Sequence, residues 1–303
     1  MIVDKLFEHV KEKGHVCIGL DTDYSYLPEA YAKKFNSNAE GIYNFNKEII
    51  DATYDLAACY KVQIAYYEAM GIDGLRVYSD TLKYIKEKGQ IVIADIKRGD
   101  ISKTAEMYAA GHFSGDFEAD FVTLSPYMGI NDSIEPFLKY IKENEKGIFV
   151  LVRTSNQGAK DFQYIKDENG LNLYENVADM VEKLAEENLG SCGFSSIGSV
   201  VGATNNEESE ALRKKLKTSF LLIPGYGAQG GKAEDIRAYL VDGNGAVVNS
   251  SRGILLSYKK ENDGEKSFAM CARNEVIRMR DDIRAHFRKG THLFLHGESL
   301  GIG

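Results

Sequence analysis

Ile91-Val92-Ile93-Ala94-Asp95-Ile96-Lys97-Arg98-Gly99-Asp100-Ile101 is the stretch whose pattern decides the fold. Residues 91–97 form a short apolar, β-rich run of strand length. Side chains two apart on a strand share a face, so Asp95 and Lys97 point one way, and Ala94 and Ile96 the other. Seven further runs of this kind lie on either side, at 16–22, 57–63, 121–125, 147–154, 196–204, 220–225 and 245–251. The segments between them carry helical spacing. Ile134, Phe137, Leu138 and Ile141 recur at i, i+3, i+4, i+7, as do Val177, Met180, Val181 and Leu184, which buries one helix face. Strands alternating with helices imply a parallel sheet. Eight such units in one chain fit an α/β fold of the closed (β/α)8 TIM barrel type better than an open sheet.

One barrel domain over residues 1–288 is expected. A helix near 4–13 precedes the first strand and is positioned to cover the barrel floor. The last helix is expected over 268–287, with Val276, Met279 and Ile283 on one face. Residues 289–303 show neither period and read as a disordered tail outside the fold.

Composition narrows the function. The chain has 303 residues, 44% hydrophobic and 27% charged, ordinary values for a globular protein. A net charge of −8 argues against a general nucleic-acid binder, which carries a basic face. No apolar run approaches the ~20 residues of a membrane span. The N-terminal residues include acids and no long apolar core, so they do not read as a signal peptide. Cys17, Cys59, Cys192 and Cys271 lie far apart, as expected for reduced thiols in a cytoplasmic protein. The six histidines form no His-Glu-x-x-His pattern, so no metal site is expected.

Barrel enzymes carry their chemistry at the C-terminal strand ends. Asp95 and Lys97 then face the mouth, with Asp100 beyond a Lys-Arg-Gly turn. A lysine among carboxylates is held protonated, which suits a general acid or the stabiliser of a developing carbanion. Taken alone, the pattern also suits a structural ion pair, with Asp100 capping the next helix. Asp21 after the first strand and Lys61 on the second are expected to converge with Asp95, Lys97 and Asp100 on one rim. Lys61 alone also suits a snorkelling side chain, but an alternating Lys-Asp-Lys-Asp cluster favours chemistry.

A second signal is Pro224-Gly225-Tyr226-Gly227-Ala228-Gln229-Gly230-Gly231. Its glycines let backbone N–H groups approach an anion, and a helix expected to start near Lys232 adds its positive end. Arg252, one strand later, can fork onto phosphate oxygens. The loops after strands seven and eight are the frequent phosphate site of such barrels. Thr154-Ser155-Asn156-Gln157 after strand five can hydrogen-bond a polar heterocycle, or form an ordinary turn.

Asp95-x-Lys97-x-x-Asp100-Ile101-x-x-Thr104 resembles the signature of the orotidine 5′-phosphate decarboxylases, as do Gly19-Leu20-Asp21, Lys61, the 224–231 run and Arg252. The resemblance spans roughly residues 15–255, and the segment 152–156 is similar to the longer bacterial branch. It implies a cofactor-free lyase that converts orotidine 5′-monophosphate to uridine 5′-monophosphate and CO2, the last step of de novo pyrimidine synthesis. Lys97 would protonate C6, and Asp95 would sit against the substrate carboxylate. Lys61 and Asp21 would hold the ribose hydroxyls. Asp100 and Thr104 would reach the ribose of a neighbouring subunit, making the working unit a homodimer. Thr154 or Ser155 would contact the pyrimidine edge. Gln229 would close over a phosphate held by Arg252 and the backbone near Gly227.

Two alternatives differ at named positions. Mg2+-dependent sugar-phosphate decarboxylases and aldolases of the same superfamily resemble the strand-three motif but imply an acidic metal ligand where Lys61 stands, and an ammonium there repels the ion. A silent nucleotide-phosphate sensor on the same fold would have lost members of the charged cluster, and all are present.

Overall fold

The computed structural model describes residues 1–202, 206–226 and 233–291. Eight parallel strands close into one barrel in sequence order: β1 (Val16–Gly19), β2 (Cys59–Gln63), β3 (Val92–Arg98), β4 (Phe121–Leu124), β5 (Gly147–Arg153), β6 (Ser195–Val201), β7 (Ser219–Pro224) and β8 (Ala246–Ser250). The pairing of β1 with β8 completes the ring, with Cys17 opposite Asn249. All eight expected strands are present, mostly shorter than their apolar runs because several run ends belong to the loops.

The two faces of each strand have separate tasks. Ile18, Tyr60, Val62, Ala94, Ile96 and Val122 join the large core between sheet and helices. Cys17, Cys59, Ile93, Phe121, Phe149 and Val247 point inward and form a second cluster with Val3, Leu6 and Val10 of helix α1 (Ile2–Lys13). Helix α1 therefore covers the floor as expected. The floor is packed ring against backbone. A Cβ on Gly147 would lie 2.1 Å from the Phe121 ring, and one on Gly198 would lie 2.5 Å from that of Phe149. Glycine on the adjacent strand is what lets each ring lie flat inside the barrel.

The closing helix Phe268–Thr291 buries Val276, Met279 and Ile283 as expected. It runs four residues past the expected end, so residues 289–291 continue the helix, and the rest of the expected tail lies outside the described residues. In the helix Leu173–Glu186 the buried face runs through Tyr174, Ala178, Val181 and Ala185. Met180, expected on it, is 53% exposed, because the real stripe sits slightly further round the helix. Among the described residues no helix is long and apolar enough to cross a membrane.

Candidate active site

Two residues above the floor, the inward positions become polar. Gly19, Lys61, Asp95, Thr123 and Asn249 follow Cys17, Cys59, Ile93, Phe121 and Val247 on their strands. A Cβ on Gly19 would lie 1.9 Å from Ser251 Oγ and 2.9 Å from Asn249 Oδ1. Only glycine there lets β8 bring these groups across to β1. The mouth holds a cavity of about 330 Å³ whose lining includes Asp21, Lys61, Gln63, Asp95, Lys97 and Arg252.

Lys61 is the hub. Its side chain is 6% exposed, and Nζ lies 2.9 Å from Asp95 Oδ2 and 3.1 Å from Asp21 Oδ1. It is locked between two carboxylates and does not snorkel. Burial pushes the Lys61 ammonium towards neutrality, but the charges of Asp95 and Asp21 outweigh it and hold its pKa above the usual lysine value. Asp95 accepts four hydrogen bonds. Lys97 Nζ (2.6 Å) and Thr123 Oγ1 (2.9 Å) donate to Oδ1, and Lys61 Nζ and Gln63 Nε2 (3.0 Å) donate to Oδ2. Burial raises the pKa of this carboxyl, yet the two ammonium groups and their hydrogen bonds hold it well below the usual carboxylate range. Asp95 is therefore an anion at neutral pH. Asp21 also accepts from Ser251 Oγ at 2.9 Å.

Lys97 differs from Lys61. Its side chain is 47% exposed and lines the cavity. Its backbone has φ +44°, a region that costs a non-glycine residue about 1–2 kcal/mol. There the pairing of β3 with β4 shifts register, and the chain turns outward through Arg98-Gly99.

That turn corrects one expectation. Asp100 does not join the rim of its own barrel. It accepts a hydrogen bond from the Ile101 amide at 2.8 Å, and it does not line the cavity. It does not cap the next helix through its side chain either, since the N-cap residue is Ile101. Thr104 is exposed on that helix, Ser102–Phe113. Thr154 and Ser155 are also absent from the cavity lining among the described residues. Thr154 Oγ1 donates to Asn156 Oδ1 at 2.6 Å and accepts from Gln163 Nε2 at 2.7 Å, the ordinary-turn alternative.

Arg252 stands exposed at the rim without an ion pair among the described residues, beside Gly225 and Tyr226 in the cavity wall. Gly227 and Gln229 lie outside the described residues, as does Lys232, and the next helix spans Ala233–Arg237. Thr123, Gln63, Asn249 and Ser251 are site residues not singled out as candidates from sequence. Their signal is parity, since each lies an even number of positions from an inward-facing neighbour.

A closed parallel barrel with an alternating ammonium–carboxylate cluster at its mouth, beside an exposed guanidinium, is the arrangement of a TIM-barrel enzyme. The sequence profile described as "Orotidine 5'-phosphate decarboxylase / HUMPS family" matches residues 14–267. The chain is 62% identical over 283 residues to the orotidine 5′-phosphate decarboxylase of Clostridium tetani, covering 93% of this chain and 98% of that protein. It is 61% identical over 284 residues to that of Clostridium acetobutylicum, covering 94% and 99%. The solved structure of Leishmania donovani OMP decarboxylase superposes with a TM-score of 0.73 at 30% identity, covering 94% of this chain and 97% of that one. The chain belongs to the orotidine 5′-phosphate decarboxylase family, whose members are carboxy-lyases.

Proposed function

We propose that the chain converts orotidine 5′-monophosphate to uridine 5′-monophosphate and CO2 in pyrimidine synthesis, with Lys97 as the proton donor. The bond from C6 to the carboxylate breaks, CO2 leaves, and the electron pair remaining on C6 takes a proton from Lys97 Nζ. Solvent then reprotonates the lysine. The observation that carries this reading is the contrast between the two lysines. Lys61 is sealed between carboxylates, whereas Lys97 reaches into the cavity with Nζ 2.6 Å from Asp95. A fixed ammonium stabilises negative charge growing at C6 more than it stabilises the ground state. Asp95 orients that ammonium and faces the substrate carboxylate. Asp21 and Lys61 hold the ribose, and Arg252 holds the phosphate with the backbone near Gly227 and the side chain of Gln229. Thr154 or Ser155 meets the pyrimidine edge. Phosphate binding remote from C6 supplies energy that keeps the site closed.

The working unit in this reading is a homodimer with shared sites. Asp100 and Thr104 do not line their own cavity, and exposed apolar side chains lie beside them in sequence, Ile101 (51%) and Met107 (55%), and after β4, Tyr127 (81%) and Met128 (50%). In this reading these apolar groups belong to the contact between the two copies. A second copy would cover them and bring Asp100 to the partner cavity. The Mg2+-dependent alternative fails at Lys61, whose ammonium already engages Asp21 and Asp95. The four free cysteines suit a reducing compartment such as the cytoplasm.

The test is an absorbance assay with orotidine 5′-monophosphate in EDTA, run on wild type and Lys97→Ala. Wild-type turnover is expected, with a loss of at least ~10²-fold in the variant. A wild type without turnover would contradict the reaction, and turnover abolished only by the chelator would contradict its independence of metal. A variant keeping more than about a tenth of kcat would contradict the role of Lys97.

A further inference from the structure

The bulge under Lys97 is held by one side chain. Ala94 of β3 pairs with Val122 of β4, and the next register pair is Arg98 with Leu124. Four steps along β3 thus run against two along β4, and the surplus residues form a bulge. Bulging lifts backbone amides off the ladder, and buried amides need other acceptors. The N–H groups of Ile96 and Lys97 both donate to Thr123 Oγ1, at 3.0 and 2.9 Å. Thr123 is 1% exposed. Its single proton goes to Asp95 Oδ1 at 2.9 Å, the same oxygen that receives Lys97 Nζ at 2.6 Å. Two bonds accepted and one donated use the full capacity of a hydroxyl.

One buried oxygen therefore fixes Lys97 at both ends. It binds the amide of the residue at φ +44°, and it orients the carboxylate that holds the ammonium. We propose that Thr123 is a positioning residue for the decarboxylation, holding the β3 bulge in the shape that aims Lys97 at the reacting carbon. This inference rests on the reading of Lys97 as proton donor. Thr123→Val keeps the shape and removes the hydroxyl. Thr123→Ser keeps the hydroxyl and removes the methyl.

The experiment measures kcat and KM for wild type, T123V and T123S, with rates expressed per site able to bind uridine 5′-monophosphate, so that unfolded molecules drop out. A crystal structure of T123V accompanies them. T123V is expected to lose about 10²-fold in kcat, the scale of a misplacement near 1 Å. KM should change by less than about threefold, and T123S should recover most of kcat. Lys97 should leave the left-handed region in T123V. The inference is overturned by T123V within about threefold of wild-type kcat, by equal losses in T123V and T123S, or by an unmoved Lys97 backbone. Should T123V fail to fold, T123C is the substitute, since a thiol is a weak donor and acceptor. A kcat for T123C equal to that of T123S would then overturn it. A wild type without turnover would contradict the functional reading itself, a result distinct from any difference among the variants.

Discussion

At the floor of the barrel Cys17, Cys59, Ile93, Phe121 and Val247 close on one another beneath α1. Two residues further along the same strands Gly19, Lys61, Asp95, Thr123 and Asn249 surround an open cavity or support its walls. The floor is complete within one chain, because its rings fill the space left by Gly147 and Gly198 and its apolar residues meet one another. In the mouth, by contrast, Arg252 stands unpaired among the described residues, and Asp100 and Thr104 do not line the cavity. The difference shows how one fold divides its work. Burial at the floor supplies stability, and the mouth concentrates paired charges around an open cavity.

The widest separation of the two ends should come from Lys97→Ala. Turnover should fall by ~10²–10⁴-fold, while stability in urea changes by less than about 1 kcal/mol, as for a partly exposed ion pair. Asp95 keeps Lys61, Gln63 and Thr123 as donors. Equal damage to activity and stability would erase the distinction. Phe149→Ala should give the converse. Its ring is fully buried 5.0 Å from that of Phe121, so about 3–5 kcal/mol of stability should be lost, with kcat per folded molecule retained. A stable but inactive Phe149→Ala would break the comparison from the other side.

Arg252→Ala should sharpen it at the rim. Calorimetry should show binding of uridine 5′-monophosphate weakened by about 1.5–3 kcal/mol, the loss of a charged hydrogen bond, with uridine binding little changed. Equal weakening of both ligands would show that the guanidinium does not meet the phosphate.

Acid should reach the two ends in different windows. Burial of His15, at the floor, pushes its pKa down to about 4, despite the hydrogen bond between its Nε2 and the Gly243 carbonyl. From about pH 6.5 down to about 4 the unfolded chain takes up a proton that folded His15 refuses, so stability falls as pH falls. Asp95 has its folded pKa held low, so its contribution is present above about pH 4 and is lost only below it. His15→Gln should therefore flatten the stability profile between pH 6.5 and 4 by up to about 1.4 kcal/mol per pH unit. An unchanged slope would show that His15 does not titrate with unfolding.

The barrel is legible in sequence because period two and helical spacing report burial directly, and eight apolar runs leave few topologies. Asp21, Lys61, Asp95, Lys97 and Arg252 are legible because charge at the end of a buried run is conspicuous. Thr123 is not, because a lone hydroxyl in an apolar strand looks like any β-branched residue, and its role depends on a bulge that adjacent strands create together. The placement of Asp100 outside the cavity lining goes with a register shift between β3 and β4 and with positive φ at Lys97 and Ser102, which residue identity does not announce. Thr154 is ambiguous in sequence for a related reason, since a short hydroxyl serves a turn as readily as a ligand.

Refolding a mixture of Lys97→Ala and Asp100→Ala chains tests most directly that the mouth is completed by a second copy. Random pairing makes about half of the dimers mixed. In a mixed dimer one cavity carries both lesions, and the other combines an intact Lys97 from one chain with an intact Asp100 from its partner. With sites shared, about a quarter of wild-type activity should return from two inactive parents. No recovery, with mixed dimers verified by mass, would mean that Asp100 serves only its own chain, and the shared site would be contradicted.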